Sequence, residues 1–294
     1  MINHYEYAKS IALIKKNGNK AIGTSESELA AKVWVDTHSK PPITLKTFSE
    51  ATEEELVATV QAADDGLIDL YDDAGWRVGQ EREVSISAIS SSGTGWSVGE
   101  SQPAQTATLV LMHKGDYELV TPVKAKGGAS RSTCSFVVGM KNSVSYGGYI
   151  HPNTTSSFAK SWFQTDRADW CNRGFYGALS ANIQSLFKKF IYKTYNFEFN
   201  RVYSFQAYFV LPAEYEVFGM RSYSMDDEAN ALFQFDWYKT AENRIKNKGG
   251  YADAYWTRSP STSGGKFVYV SFQGIVGGNS KCTVTYGISP FGCV

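Results

Sequence analysis

The sequence ends with YWTRSP at residues 255–260, KFVYVSFQG at residues 266–274 and TVTYGISPFGCV at residues 283–294. Each segment is short and rich in aromatic and β-branched residues, and glycine and serine separate one segment from the next. This composition predicts short strands joined by tight turns. The C-terminal forty residues are therefore expected to form a small β region that differs from the chain before it.

The alternation within residues 266–274 predicts which side chains of this strand face outward, because successive side chains of a strand point to opposite sides. One phase holds Phe267, Tyr269, Ser271 and Gln273, and the other holds Val268, Val270 and Phe272. We expect the first phase to face solvent, with Phe267 as an exception. Tyrosine, serine, glycine and asparagine are also the residue types that antibody paratopes favour. The region is therefore interpreted as a binding face, with a merely polar, turn-rich β end as the alternative.

Residues 48–66 carry the clearest helix signal of the chain. Thr52 and Glu55 stand at the spacing of a capping box, acidic residues fill the first turn, and Gly66 is a natural stop. Apolar residues recur on one helical face at Leu56, Val60 and Ala63. Upstream, short strands are predicted at residues 10–14 and 31–37.

The remaining segments mix helix and strand patterns. Strands are predicted in GWRVGQEREVSISAI (75–89, with Val84, Ile86 and Ala88 alternating), ATLVLMHKG (107–115), STCSFVVGMKN (132–142) and part of residues 201–219. Further helices are predicted at residues 179–193 and 227–248, and long surface loops at residues 141–175. Helices set between groups of strands indicate an α+β protein.

Composition excludes several classes of function. The 294 residues have 43% hydrophobic residues and 29 basic against 29 acidic side chains, with no long basic run. Nucleic acid is therefore not expected as a partner. No apolar stretch approaches membrane-spanning length, and the N-terminus has no signal-peptide layout, so neither membrane insertion nor a signal peptide is expected. Pro41–Pro42 divides the chain into an N-terminal strand region at 1–42, for attachment or oligomerisation, and a domain at 43–294.

The sequence offers little that resembles a catalytic or metal centre. The four histidines do not stand at metal-ligand spacing, and the cysteines Cys134, Cys171, Cys282 and Cys293 form no close pair. Nucleotide-binding glycine loops and nucleophile elbows are absent. We therefore predict no catalytic residues, no metal and no cofactor.

The C-terminal segments, taken together with several interior ones, resemble the variable proteins of diversity-generating retroelements in bacteriophages and prophages. The resemblance spans residues 48–294. Besides the three C-terminal segments, its motifs are FSEATEEELVATVQAADDG, GWRVGQEREVSISAI, DWCN at 169–172, LPAEYEVFG and EANALFQFDWYKTAENRIK. It implies a C-type-lectin-like fold of the formylglycine-generating-enzyme branch, with short strands, two or three helices and long loops.

The resemblance also implies two kinds of position within residues 255–294, fixed and diversified. A fixed skeleton would comprise Trp256, Arg258, Ser259, Pro260, Phe267, Val270, Gly274, Gly287, Pro290 and Gly292. Diversified, outward-facing ligand-binding residues would comprise Tyr255, Thr257, Ser261, Thr262, Ser263, Lys266, Tyr269, Ser271, Gln273, Asn279, Ser280, Lys281, Thr283 and Thr285. For Trp256 and Arg258, core packing with an ion-paired arginine is expected.

The function that the resemblance implies is that of a phage or prophage tail adhesin, located on the virion or on an extracellular surface. Its partner would be a host cell-surface protein or glycan, and a homotrimer is one oligomeric state that the resemblance suggests. The calcium-binding EPN or QPD and WND motifs of sugar-binding C-type lectins do not occur. Two alternatives remain open, namely an enzyme of the formylglycine-generating type and a structural virion protein without a ligand.

Overall fold

The structure of the protein is a computed structural model, which describes residues 45–144, 148–151, 161–196, 199–225, 233–262 and 265–294. The chain divides into two units between Thr44 and Leu45. The predicted N-terminal strand region, residues 1–42, lies outside the described residues, so its role and its separation from 43–294 stay predictions.

The helices of the described chain are mostly short, and the strands form several small sheets. The helices are α1 (Glu53–Asp64), α2 (Asp166–Asp169), α3 (Tyr176–Ala178), α4 (Ala181–Leu186) and α5 (Glu214–Phe218). The strands are β1 (Glu81–Ile86), β2 (Ser92–Gly93), β3 (Trp96–Ser97), β4 (Gln105–Lys114), β5 (Glu118–Lys124), β6 (Ser130–Thr133), β7 (Phe136–Met140), β8 (Phe190–Asn196), β9 (Arg201–Ala207), β10 (Lys246–Lys248), β11 (Tyr251–Asp253), β12 (Tyr255–Pro260), β13 (Lys266–Val270), β14 (Val276–Lys281) and β15 (Phe291–Cys293).

Helix α1 forms as the sequence predicts. The Thr52 hydroxyl accepts from the Glu55 amide at 3.3 Å, and the Glu55 carboxylate accepts from the Thr52 amide at 2.8 Å. This reciprocal capping satisfies two backbone donors that a helix start otherwise leaves unpaired. Leu56, Val60 and Ala63 are buried, so the predicted apolar face packs into the core.

Part of the core lies on a four-stranded antiparallel sheet in the order β1-β4-β7-β15. Val84 and Ile86 of β1 face inward as predicted, whereas Ala88 lies beyond the end of the strand and is exposed. The C-terminal strand β15 pairs with β7, and the Val294 carbonyl accepts from the Ser135 amide at 2.7 Å. The last residues of the chain are therefore part of the core sheet.

The other large sheets of the described residues are a four-stranded sheet in the order β6-β5-β8-β9 and a three-stranded sheet in the order β12-β13-β14. Strands β2 and β3 form one two-stranded sheet, and β10 and β11 form another. Single bridges connect Val210 with Phe291, and Tyr255 with Gly287. The sheets pair antiparallel throughout the registered strands, with the helices between strand groups, so the predicted α+β class is confirmed.

The prediction of a helix over residues 179–193 is wrong in its second half. Helix α4 ends at Leu186, and Phe190 begins strand β8, whose residue Phe190 pairs with Ala207 of β9. Apolar residues recur at a similar spacing before and after the end of α4, because a buried helix turn and a buried strand both point apolar side chains into the core. The β-branched and aromatic residues of FIYKTYN favour the strand once β9 is present to pair with it.

The predicted helix over residues 227–248 is wrong for its described part. Residues 236–239 and 241–244 form two 3₁₀ turns, and Lys246–Lys248 forms strand β10. Phe235 and Tyr238 are buried. The apolar pattern therefore indicates which side chains are buried, although the backbone does not form a continuous helix. Thr240, between the turns, is held in an extended conformation with φ −82° and ψ 121°, which interrupts any helix.

The prediction of surface loops over residues 141–175 is wrong for residues 161–175. A 3₁₀ turn at Trp162–Gln164 leads into α2, a π-helical segment at Trp170–Phe175 and α3. Trp162, Trp170 and Phe175 are fully buried. The wider π-helical turn shifts the apolar residues out of the 3.6-residue period, so the sequence shows no helical periodicity there.

Candidate ligand-binding face

The skeleton positions of the C-terminal region are all buried. They are Trp256, Arg258, Ser259, Pro260, Phe267, Val270, Gly274, Gly287, Pro290 and Gly292. Strand β12 is buried along its whole length, whereas β14 is half-buried or exposed at every residue. The three-stranded sheet is therefore buried at strand β12 and accessible at parts of strands β13 and β14.

Three predicted ligand-binding residues are in the wrong place for that role. Tyr255, Thr257 and Ser261 are all fully buried, so the expectation that they face outward is wrong. The Thr257 hydroxyl donates to the Val268 carbonyl at 2.8 Å, which ties β12 to β13 instead of presenting a group to a ligand. β12 lies between β13 and the core, and both of its faces are therefore covered.

The remaining predicted residues are accessible, except Ser263, which lies outside the described residues. Half-buried positions are Lys266, Tyr269, Ser271, Asn279, Ser280 and Thr283, and exposed positions are Thr262, Gln273, Lys281 and Thr285. For residues 266–274, Phe267 was expected as the one inward exception in the outward-facing phase, and it is buried. Phe272 was expected to face inward, and this prediction is wrong because its side chain is 57% exposed. Phe272 faces solvent because β13 ends at Val270. In the turn that follows, side chains no longer alternate between the two sides of a sheet.

A tyrosine pair forms the centre of the accessible region. The rings of Tyr269 and Tyr286 stack with centroids 4.6 Å apart, above the buried Trp256, whose ring lies 4.7 Å from that of Tyr286. Burial raises the pKa of Tyr269, and the neighbouring Tyr286 raises it further. A Cβ atom at Gly277 would lie 2.2 Å from the Tyr269 ring, so the glycine is what allows the ring to lie flat over β14.

A third tyrosine, Tyr223, joins this pair from a distant part of the chain, and the sequence did not indicate it. The Tyr223 carbonyl accepts from the Thr262 amide at 3.1 Å. A Cβ atom added at Gly278 would lie 3.9 Å from Tyr223 Cζ, so the tyrosine ring lies beside β14. Tyr223 also contributes to the raised pKa of Tyr269. We call the accessible surface formed by Tyr223, Tyr269, Tyr286 and the outward residues of β13 and β14 the tyrosine face.

The buried carboxylate of Glu214 holds Tyr223 in this position. It accepts from the backbone amides of Ser222 at 3.0 Å, Tyr223 at 3.1 Å and Ser224 at 2.8 Å. The Glu214 amide in turn donates to the Ser259 hydroxyl at 2.8 Å, which links the loop to β12. Glu214 is thus a positioning residue, because it acts on the tyrosine face only through the loop that it organises.

Replacing Glu214 with glutamine should lower the free energy of unfolding by about 2–3 kcal/mol, the range for losing charge-assisted hydrogen bonds. The glutamine amide would bring donors against the donors of Ser222–Ser224, so the loop and Tyr223 should move. Urea unfolding measures the cost, and the exposed Glu118→Gln variant is the control, expected within about 0.5 kcal/mol of the parent. Equal stability of both variants would show that the loop does not depend on this carboxylate.

The two ends of the tyrosine face differ in chemistry. At one end Lys266 and Lys281 stand directly opposite each other in the β13–β14 ladder, which places two positive charges side by side. At the other end the turn exposes Phe272 and Ile275, each 57% exposed. Like charges directly opposite each other cost stability in a sheet. One end of the tyrosine face is therefore cationic and the other is apolar.

A bidentate ion pair lies below the face. Arg258 Nη1 is 2.6 Å from Glu216 Oε2, and Arg258 Nη2 is 2.5 Å from Glu216 Oε1, with both side chains fully buried. The Tyr117 hydroxyl donates to the same carboxylate, and Arg258 Nη1 also donates to the Leu211 carbonyl at 2.8 Å. The expected core role of Arg258 as an ion-paired residue is confirmed.

The side chains of all four cysteines are buried in the interior. Burial raises the pKa of Cys171 to about 12, and it also raises the pKa values of Cys282 and Cys293. Because the thiolate is the nucleophile, these thiols are held in their less reactive form. Across the described ranges, no three histidine, cysteine, aspartate or glutamate side chains lie close enough together to hold a metal ion.

The fold and the accessible face define an α+β protein with a tyrosine-lined C-terminal surface. The chain belongs to the family described as domain of unknown function DUF6273, whose model matches residues 142–294. That match covers β8–β15, including the whole tyrosine face. No curated protein and no solved structure matches the chain. No helix within the described ranges is both long and apolar enough to cross a membrane.

Proposed function

We propose that the protein is a non-enzymatic ligand-binding protein and that the tyrosine face contacts its ligand. The observation that carries the proposal is the contrast within residues 255–294. Every skeleton position is buried, while most of the intervening positions on β13 and β14 are accessible and carry tyrosine, serine, asparagine or lysine. Such side chains offer large contact area or adaptable hydrogen bonds at low entropic cost.

The fold that we propose for residues 43–294 is the C-type-lectin-like fold of the formylglycine-generating-enzyme branch. The protein would then be a variable protein of a diversity-generating retroelement, acting as a phage or prophage tail adhesin on the virion. Its ligand would be a host cell-surface protein or glycan. Several copies, for example in a homotrimer, would supply avidity to a weak single contact.

Two other functions remain as alternatives, and specific observations bear on each. An enzyme of the formylglycine-generating type would need a reactive Cys282 or Cys293, and burial raises the pKa of both thiols. In a structural virion protein without a ligand, Phe272 and Ile275, each 57% exposed beside the tyrosine cluster, would stay uncovered. A near-copy of the C-terminal coding sequence beside a reverse transcriptase gene would support the adhesin.

The direct test is binding of the purified protein to a panel of intact bacterial strains. We expect the parent protein to bind at least one strain, and a Tyr269→Ala, Gln273→Ala, Asn279→Ala variant to lose at least tenfold in affinity. These three side chains are accessible on the face, so the variant should keep its fold, which circular dichroism and thermal unfolding would verify.

A matched variant on another sheet controls for general surface effects. Thr121, Ser132 and Thr133 are exposed on β5 and β6, and replacing all three with alanine should leave cell binding unchanged. Equal binding by the parent and by the Tyr269, Gln273 and Asn279 variant would place the contact surface elsewhere. Failure of the parent protein to bind any strain would favour the structural or enzymatic alternatives.

A further inference from the structure

Strand β9 lies at one edge of the sheet β6-β5-β8-β9, and it is the longest edge strand of the described chain. Its seven residues, Arg201–Ala207, pair with β8 in one unbroken register. They include neither proline nor glycine, and the one charged residue, Arg201, stands at the first position. Within the described ranges, the outward-pointing backbone groups of residues 201–206 form no hydrogen bond with another segment. Strand β9 therefore presents an open and regular row of donors and acceptors.

The edges of the other large sheets are charged, covered, short or irregular. Strand β1 begins with three consecutive charged residues from Glu81, and β6 has only four residues. Strand β15 is bridged on its outer side to Lys188 and Val210, and β12 is buried along its whole length. Strand β14 pairs with β13 through a register shift and has Gly278 at φ +98°. Natural sheets protect their edges in these ways because an open edge pairs with another chain, and β9 lacks such protection.

The sequence of β9 is complementary to a second copy of itself. In an antiparallel pair centred on Ser204, all seven residues find a partner, and Tyr203 of each copy stands opposite Phe205 of the other. Both aromatic side chains are half-buried against their own chain, and the Phe205 ring stacks on that of Phe163 with centroids 3.8 Å apart. Aromatic residues directly opposite each other stabilise a pair of strands, so this arrangement places two such contacts beside its centre.

The charge of β9 also favours the antiparallel arrangement. The two copies of Arg201 would lie at opposite ends of the paired strands, each facing Ala207 of the other copy. A parallel pair in the same register would place the two arginines side by side, which costs stability. Beyond Ala207 the edge is closed, because the Asn172 side-chain oxygen accepts from the Tyr208 amide at 2.7 Å and from the Phe209 amide at 3.3 Å.

We infer that two copies of the protein associate through β9, as an antiparallel pair with a two-fold axis at Ser204. Such a contact is self-complementary, as a closed two-fold dimer requires, and it joins two four-stranded sheets into one continuous sheet. Backbone hydrogen bonds would supply the attraction, and the contacts between Tyr203 and Phe205 would select the register. The association does not depend on what the tyrosine face binds, although a dimer would carry two tyrosine faces and so add avidity.

Analytical ultracentrifugation of the full chain over a range of micromolar concentrations tests this association, and the parent protein should form dimers. Ser204→Lys should weaken dimerisation at least tenfold, because it places two lysines opposite each other at the axis, and Ser204→Glu should do the same with two carboxylates. An equimolar mixture of the two variants should form dimers again, since lysine then faces glutamate. Ser204 is exposed, so both variants should keep their fold, which circular dichroism would verify.

Ser132→Lys is the matched control, because it makes the same substitution at an exposed position of β6, the opposite edge of the same sheet. It should leave dimerisation unchanged. The inference is overturned by a parent protein that stays monomeric, by Ser204→Lys assemblies as stable as those of the parent, by an equal loss in Ser132→Lys, or by a mixture that forms no dimers. Cell binding is a separate readout, so the inference can fail while the proposed function stands, and the reverse also holds.

Discussion

Replacing Glu216 with glutamine is expected to lower the free energy of unfolding by about 3–5 kcal/mol, the largest effect of any single substitution considered for this protein. Glu216 and Arg258 are both fully buried and form two parallel hydrogen bonds. The substitution would leave the arginine charge in the interior with a neutral partner. The glutamine amide would also place donors against the donors of the guanidinium and of Tyr117.

Chemical denaturation and thermal unfolding would both measure this effect, with a fall in Tm of about 6–20 °C for a domain of this size. The control is Lys126→Gln, which breaks the exposed Lys126–Asp73 pair at 2.7 Å and should leave stability close to that of the parent protein, because solvent screens exposed pairs. A Glu216→Gln protein as stable as the control would mean that the buried pair contributes no more than a surface pair. Replacing both Glu216 and Arg258 with methionine should cost less than the sum of the two single replacements, because no unpaired charge remains.

Lys246 is expected to make stability depend on pH between about pH 7 and pH 10. Its ammonium group is fully buried and donates to the carbonyls of Met140 at 2.7 Å and Lys141 at 3.1 Å. The rings of Tyr238 and Tyr255 each lie 5.3 Å away, and no carboxylate forms an ion pair with it within the described ranges. Burial lowers the pKa of Lys246 to about 7 from an ordinary value of 10.5.

The direction of this dependence follows from proton binding in the two states. Between pH 7 and 10.5 the unfolded chain keeps the Lys246 proton and the folded chain releases it. The free energy of unfolding therefore rises with pH, by about 1.4 kcal/mol per pH unit at full effect. Below pH 7 both states are protonated, and the full cost of burying the charge is present.

Urea unfolding of the parent and of a Lys246→Met variant at pH 7, 8, 9 and 10 isolates this contribution, because other titrating groups cancel in the difference. Relative to the variant, the parent should gain roughly 4 kcal/mol across the series. Lys126→Met is the control. Its exposed amino group has a raised pKa beside Asp73, so its contribution changes only above pH 10.5 and the difference should stay flat in this window. A flat difference for Lys246→Met as well would mean that this lysine keeps its ordinary pKa.

The accessibility of Tyr269 on β13 could be predicted from the sequence because alternation within a strand is a local property. Asn279 and Lys281 on β14 were expected to face outward because the resemblance implies it, and both are accessible. The burial of Tyr255 and Thr257 could not be predicted, since it depends on β12 lying between β13 and the core. Tyr223 and Glu214 were missed for a related reason, as their contacts with β12 and β14 join segments more than thirty residues apart.

Local signals determined helix α1, the main strands and the α+β class, because capping, turn residues and apolar periodicity act within a few residues of one another. The fixed skeleton of residues 255–294 was implied by the resemblance, and its positions are buried. Only the tertiary structure decided that residues 190–196 pair as a strand, that residues 161–175 are a buried helical segment, and that Glu216 and Arg258 meet in the core. Each of these depends on a partner from elsewhere in the chain. Strand pairing and charge burial are stabilised only when that partner is in place, so no local pattern can report them.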